Sequence, residues 1–123
     1  MTDQRLDERY VSVDVETTGP VPGEYNLLSI GACIVGDSRE FFSSKLRPIT
    51  DRFVPEALKI SGLSLEELRR SGEDPAVAMQ RFAAWVTVAC AGARPVFVGF
   101  NASFDWSFVN WYFVSVRPTP SGA

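Results

Sequence analysis

No histidine occurs anywhere in the 123 residues, which removes the side chain that most often moves protons near neutral pH. Cysteine is scarce. Cys33 and Cys90 stand in apolar surroundings with no CxxC or Cys/His spacing, so a zinc site is excluded and two buried free thiols in a reducing compartment are expected. Long hydrophobic runs are missing as well. The longest mostly apolar stretch, Phe82 to Ala93, falls short of the ~20 residues that span a bilayer. The polar opening, Met1 to Arg9, lacks the apolar core of a secretory signal. A cytoplasmic location without membrane association is the resulting expectation. Positive charge is not in excess either: 12 Lys and Arg against 15 Asp and Glu leave a net charge of −3. That balance argues against nucleic-acid binding through bulk electrostatics. It leaves room for contact with phosphates through bound cations, which reverse the local sign.

What remains is the mix of an ordinary globular domain, with 46% hydrophobic and 22% charged residues and no repeat or low-complexity block. Tyr10 to Glu16 alternates, with Val11, Val13 and Val15 on one face and Ser12, Asp14 and Glu16 on the other. Leu27 to Val35 and Glu40 to Leu46 read as two further strands, and the turn signals Gly19-Pro20, Pro22-Gly23 and Gly36-Asp37 predict an antiparallel meander. Ser64 and Glu67 have capping-box spacing, with Leu63 and Leu68 placed as a hydrophobic staple, so a short helix should run to about Gly72. Asp74 and Pro75 open a longer helix whose predicted buried stripe is Met79, Phe82, Ala83, Val86 and Cys90. Val96 to Phe100 is a compact strand. Asn101 is then a candidate N-cap for a last helix with Phe104, Phe108, Trp111 and Tyr112 on one face. Strands followed by helix, strand and helix predict an α/β domain with a mixed sheet.

Asp14 and Glu16 are the first chemical signal. Side chains two apart on a strand share a face, rooted roughly 7 Å apart. Two carboxylates there repel each other and resist burial unless a cation binds them. The alternative is a solvent-facing strand edge, where acids need no explanation. The second signal is Asn101-Ala102-Ser103-Phe104-Asp105, after a short apolar strand. With Asn101 as cap, Asp105 falls in the first helical turn, where the helix dipole alone would favour an acid. Ligands in α/β sheets gather at such strand ends. The two acidic clusters could therefore converge on one cation site.

Val13-Asp14-Val15-Glu16-Thr17-Thr18-Gly19 resembles the first motif of the DEDD superfamily of 3′–5′ exonucleases, and Val98-Gly99-Phe100-Asn101-Ala102-Ser103-Phe104-Asp105 resembles the second. Their order and separation are similar to those of the histidine-containing branch, the proofreading subunits of bacterial DNA polymerase III and their relatives. Ala57 to Ser64 resembles the linking segment, with Ser61-Gly62 where His-Gly is frequent. The resemblance covers about residues 10 to 113. It implies a ribonuclease-H-like fold and a two-metal mechanism with Mg²⁺ or Mn²⁺ ions about 4 Å apart. One ion would acidify the attacking water and the other would stabilise the leaving 3′-oxygen, while a histidine of a third motif takes the proton. Carried over, Asp14 would bridge the metals, Glu16 would bind the nucleophile-side ion and Asp105 the other. Thr17, Thr18 and Asn101 lie where members contact the terminal nucleotide. Phe104 is expected to pack the helix onto the sheet rather than stack on a base.

The chain departs from the family where the third motif should supply a histidine and an aspartate: it has no histidine, and Asp105 is its last acidic residue. Phe100, where many members have histidine, is a smaller departure. The expected organisation is a polar tail over 1–9, a partial exonuclease domain over 10–113 and an irregular tail over 114–123. The Pro/Ser-rich change after Phe113 suggests truncation or a shifted frame. The expected function is 3′–5′ exonuclease hydrolysis of a DNA or RNA 3′ end, crippled by the missing motif, with apolar surface of the sheet and last helix left uncovered. The alternative is a catalytically inactive nucleic-acid-binding or interaction domain on the same fold. Substrate sugar, strandedness, and a polymerase or homodimer partner are left open.

Overall fold

Alternation produces the first strand. In the computed structural model, which describes residues 7–116, β1 (Glu8–Thr17) buries Val11, Val13 and Val15 and turns Ser12, Asp14 and Glu16 to the opposite face. β2 (Leu27–Ile34) and β3 (Asp37–Lys45) complete the antiparallel meander, and β4 (Arg94–Val98) pairs with the other side of β1 in parallel. The sheet order is β3-β2-β1-β4, the mixed sheet that the sequence predicted. β1 starts two residues earlier than expected because Glu8 and Arg9 pair with Arg94 and Pro95, and the Glu8 carboxylate holds the Arg94 guanidinium at 2.7 Å. The polar tail is therefore shorter than 1–9, and its residues 1–6 lie outside those described.

Four helices cover the sheet. α1 (Pro55–Ser61) was not foreseen: it buries no residue fully and only Ala57, Leu58 and Ser61 are half-buried, although Pro55 at its start and Gly62 at φ +70° just after it are helix boundary signals. α2 (Leu65–Ser71) starts as expected, with Ser64 accepting the Glu67 N–H at 3.2 Å. Asp74 likewise caps α3 (Pro75–Cys90) by accepting the Ala76 N–H at 3.0 Å. The stripe of α3 is shifted from the predicted one. Met79, Phe82 and Cys90 are buried and Val86 half-buried, but Ala83 is exposed, and Ala76, Ala78 and Ala89 are buried in its place. α4 (Ala102–Ser115) runs two residues past the predicted end of the domain, so Val114 and Ser115 are helical; residues 117–123 lie outside those described. None of these helices is long and apolar enough to cross a membrane. Cys90 is buried and Cys33 half-buried, and both are free thiols.

The core lies between the sheet and α3 and α4. Phe82 is its aromatic hub, with ring centroids 5.2 Å from Phe42 and 6.4 Å from Phe97. β3 and β4 are the sheet edges, and next to β4 the side chains of Phe100, Trp106 and Val114 are exposed.

A register shift at the end of β1 sets up the region of the acidic motif. Glu16 faces Ser29, but Thr17 faces Leu27, so Leu28 is the extra residue of a β-bulge. The bulge breaks the alternation of β2. Leu27 joins Ile30, Ala32 and Ile34 in the main core, while Leu28 packs with Leu65 and Leu68 in a separate cluster. Just before the bulge, Asn26 is fully buried and holds the segment after β3. Its Oδ1 accepts from Ile49 N–H at 2.7 Å and Thr50 N–H at 3.0 Å, and its Nδ2 donates to the Thr50 carbonyl at 2.9 Å. Asn26→Ala strands these backbone groups and is expected to lower stability by about 2 kcal/mol, measured by urea denaturation.

Candidate active site

β4 stops short, and that sets the site. Its last paired residue, Val98, lies opposite Ser12, so β1 continues beyond it with no strand alongside. The chain turns at Gly99 and Phe100 and enters α4, bringing Asp105 back against this uncovered length of β1. The Val15 N–H lies near enough to the Asp105 carboxylate to lower its proton affinity, and Asp105 is only 7% exposed. Gly99 is needed at the crossing. A Cβ there would sit 2.8 Å from the Val13 carbonyl oxygen and 3.0 Å from Asp105 Oδ2. A cavity of about 10 Å³, room for one water, backs Asp105 between β4 and α4 and is lined by Val13, Phe97 and Val109 among others.

Asp105 thus comes from the core side to the edge of β1, within electrostatic reach of Asp14 and Glu16. Burial first, then the charges of Asp14 and Asp105, hold the Glu16 carboxyl above its ordinary 4.5. Burial and the Asp14 charge likewise raise Asp105 above 3.8, against the lowering effect of the Val15 N–H. Among the described residues, no Lys or Arg pairs with any of the three. The acids are therefore close enough to repel and partly desolvated, with no protein cation to relieve them. Among the described residues, no three His, Cys, Asp or Glu side chains are grouped closely enough to hold a metal ion, and Asp14, Glu16 and Asp105 are no exception. Hard carboxylate oxygens in an open arrangement suit a Mg²⁺-type ion, which keeps waters and adds substrate phosphates, better than an ion that needs an all-protein shell.

The other predicted contacts separate. Thr18 is fully buried, and its hydroxyl is committed: it donates to the Arg52 carbonyl at 2.9 Å and accepts from Asn26 N–H at 2.8 Å. Its backbone is engaged as well, since Val54 N–H donates to the Thr18 carbonyl at 2.7 Å. Thr18 is a structural pin, and its side chain has no group left for a ligand. Thr17 is 8% exposed and donates to the Gly19 carbonyl at 3.0 Å. Asn101 occupies the N-cap position, but its side chain makes no capping bond; its carbonyl takes the Asp105 N–H at 3.1 Å. That side chain is exposed and uncommitted. Phe104 packs against the core beside Phe108, with centroids 5.2 Å apart, as expected. Gly99 and Asn26 were not singled out from sequence. A glycine just before a capping residue was a signal for the first, and nothing local marks the second.

The chain is 53% identical over 107 residues to the 3′–5′ DNA exonuclease Cap18 of Escherichia coli, an alignment covering 86% of this chain and 57% of that protein. That similarity supports a relationship to the DEDD-type 3′–5′ exonuclease superfamily. Solved structures agree on the fold. E. coli exonuclease I in complex with a dA16 oligonucleotide matches with a TM-score of 0.71 at 22% identity, over 88% of this chain and 24% of that chain. Product-bound exonuclease I matches with a TM-score of 0.70 at 22% identity, over 88% of this chain and 25% of that chain. The fold is thus the ribonuclease-H-like one. No family model matches the chain. The chain spans little more than half the length of this curated relative and about a quarter of exonuclease I.

Two predictions follow from the geometry. A carboxyl raised in the folded state contributes stability that is complete below its unfolded value and is lost as pH rises through the folded one. Asp105→Asn keeps an oxygen beside the Val15 N–H and removes the charge. In metal-free buffer its melting temperature should match the wild type below about pH 3.8 and exceed it increasingly as pH rises above that value. Calorimetry across that range checks the sign. Gly99→Ala has no room for its methyl and is expected to cost about 1–3 kcal/mol in chemical denaturation, with the strain falling on the β4–α4 turn.

Proposed function

We propose that this chain carries the acidic half of a 3′–5′ exonuclease site that hydrolyses the terminal phosphodiester of a DNA strand, with Asp14, Glu16 and Asp105 holding divalent metal, Mg²⁺ or Mn²⁺. The observation that carries this reading is the mutual electrostatic influence of three carboxylates with no basic partner among the described residues, in a chain 53% identical to a 3′–5′ DNA exonuclease. A binding module for phosphates has no use for three acids that repel them. A metal site does, because bound divalent ions supply the Lewis acidity that such hydrolysis requires.

The roles of the chain's own groups follow from their placement. Asp14 is the most exposed of the three and faces the open side, where a phosphate and its cation would arrive. Glu16 and Asp105 flank it from the bulged end of β1 and from α4, and their raised proton affinity falls when a cation neutralises the cluster. Asn101 offers an uncommitted amide at the head of α4 for the terminal nucleotide, and Thr17 offers backbone beside it. These 123 residues contain no imidazole, so the proton of the attacking water needs another acceptor. Loss of a general base slows such reactions by about 10²–10⁴-fold, so hydrolysis by this chain alone is expected to be slow.

The test is Mn²⁺-dependent release of nucleoside 5′-monophosphates from 3′-labelled single-stranded DNA, together with Mn²⁺ titration calorimetry. Wild type should bind Mn²⁺ and release mononucleotides slowly from the 3′ end, and Asp14→Ala should abolish both. Wild-type chain that binds Mn²⁺ no better than Asp14→Ala would refute the assignment. Oligonucleotide binding that is indifferent to metal and to Asp14→Ala would favour the non-catalytic binding domain instead.

A further inference from the structure

One buried titratable group is left unused by the reaction. Tyr112 is fully buried on α4, and its hydroxyl oxygen accepts the Leu27 N–H at 2.9 Å. Leu27 is the β2 residue that faces Thr17 across the bulge. Bulges leave ladder groups without strand partners, and here a helix side chain supplies one. Burial, offset only in part by this bond, pushes the tyrosine pKa up to about 12, so the hydroxyl stays neutral and available as a hydrogen-bonding group.

The buried face of α4 consists of Asp105, Phe108, Val109 and Tyr112, spaced i, i+3, i+4 and i+7. Its two ends are polar and its middle is apolar. Phe108 and Val109 supply burial, which has no direction and would tolerate rotation or sliding of the helix. At one end the Tyr112 hydroxyl takes a directional hydrogen bond from the Leu27 N–H of the β1–β2 hairpin, and at the other the Asp105 carboxylate lies beside the Val15 N–H. The two residues are two turns apart, roughly 10 Å along the axis. Together they set the helix at one height and one rotation over the hairpin.

We propose that Tyr112 is a positioning residue for the carboxylate cluster, fixing α4 and the bulge so that Asp105 and Glu16 meet in one place. A phenylalanine would fill the same volume, so packing alone does not account for the hydroxyl. The inference rests on the metal-site reading for its functional meaning, but its structural content can be measured without metal.

Tyr112→Phe is compared with Met79→Ala, a buried change on α3 that also destabilises the fold without touching α4's polar contacts. Amide hydrogen exchange at Val15 reports how closely Asp105 is held over β1, and Mn²⁺ titration followed by electron paramagnetic resonance reports the cluster. Tyr112→Phe should lose protection at Val15 beyond what its lower global stability explains, and should bind Mn²⁺ about 10-fold more weakly, the scale of losing an outer support of a metal ligand. Met79→Ala should change Val15 only in step with global stability and bind Mn²⁺ as wild type does. Unchanged Val15 protection in Tyr112→Phe overturns the inference, as does an equal loss in both variants. Failure of the wild type to bind Mn²⁺ would sink the metal reading instead, and the exchange at Val15 would still decide the role of Tyr112.

Discussion

The site depends on one contact, the approach of the Asp105 carboxylate to β1 at the point where the parallel strand β4 has run out. A backbone donor on the exposed side of a strand must find an acceptor or water. Here the group beside that donor is itself an acid, so its approach to the backbone also draws it toward Asp14 and Glu16. The same contact explains why Asp105 is buried although its charge is unpaired: the Val15 N–H offsets part of the desolvation, and the Asp14 charge works against it.

Stability and function pull in opposite directions around that contact. Three carboxylates drawn together without a basic partner oppose the folded state when they are charged. The surrounding fold carries that penalty with the Phe82-centred core, the capped helices α2 and α3, and the buried amide of Asn26. A ligand that binds only the folded cluster would recover the loss through linkage. Strain of this kind is expected at a working site and serves no purpose elsewhere.

Much of this was legible in the residues before the coordinates. The valine alternation around Asp14 and Glu16, the Ser64 and Asp74 caps, the meander and the aromatic face of α4 each rest on local periodicity or turn chemistry, and each is present. What could not be read depends on contacts far apart in sequence. α1 has no fully buried residue to mark a face. The burial of Leu27 and Leu28 in different clusters follows from a bulge that strict alternation cannot predict. Thr18 looked like a ligand contact because it follows the acidic motif. Its hydroxyl is spent on Arg52 and Asn26, partners that only the folded chain brings near. Asn101 was read as a cap, and it holds the cap position without the bond.

The parallel pairing of β1 with β4 has a further consequence for the order of events during folding. The hairpin strands find one another locally, but β4 and α4 follow α1, α2 and α3 in the chain, with α3 packed against the sheet. Pairings that distant form late, because closure of the intervening loop must precede them. The acidic cluster is therefore one of the last features to exist on the way to the native state, and partly folded chains carry Asp14 and Glu16 without the third acid.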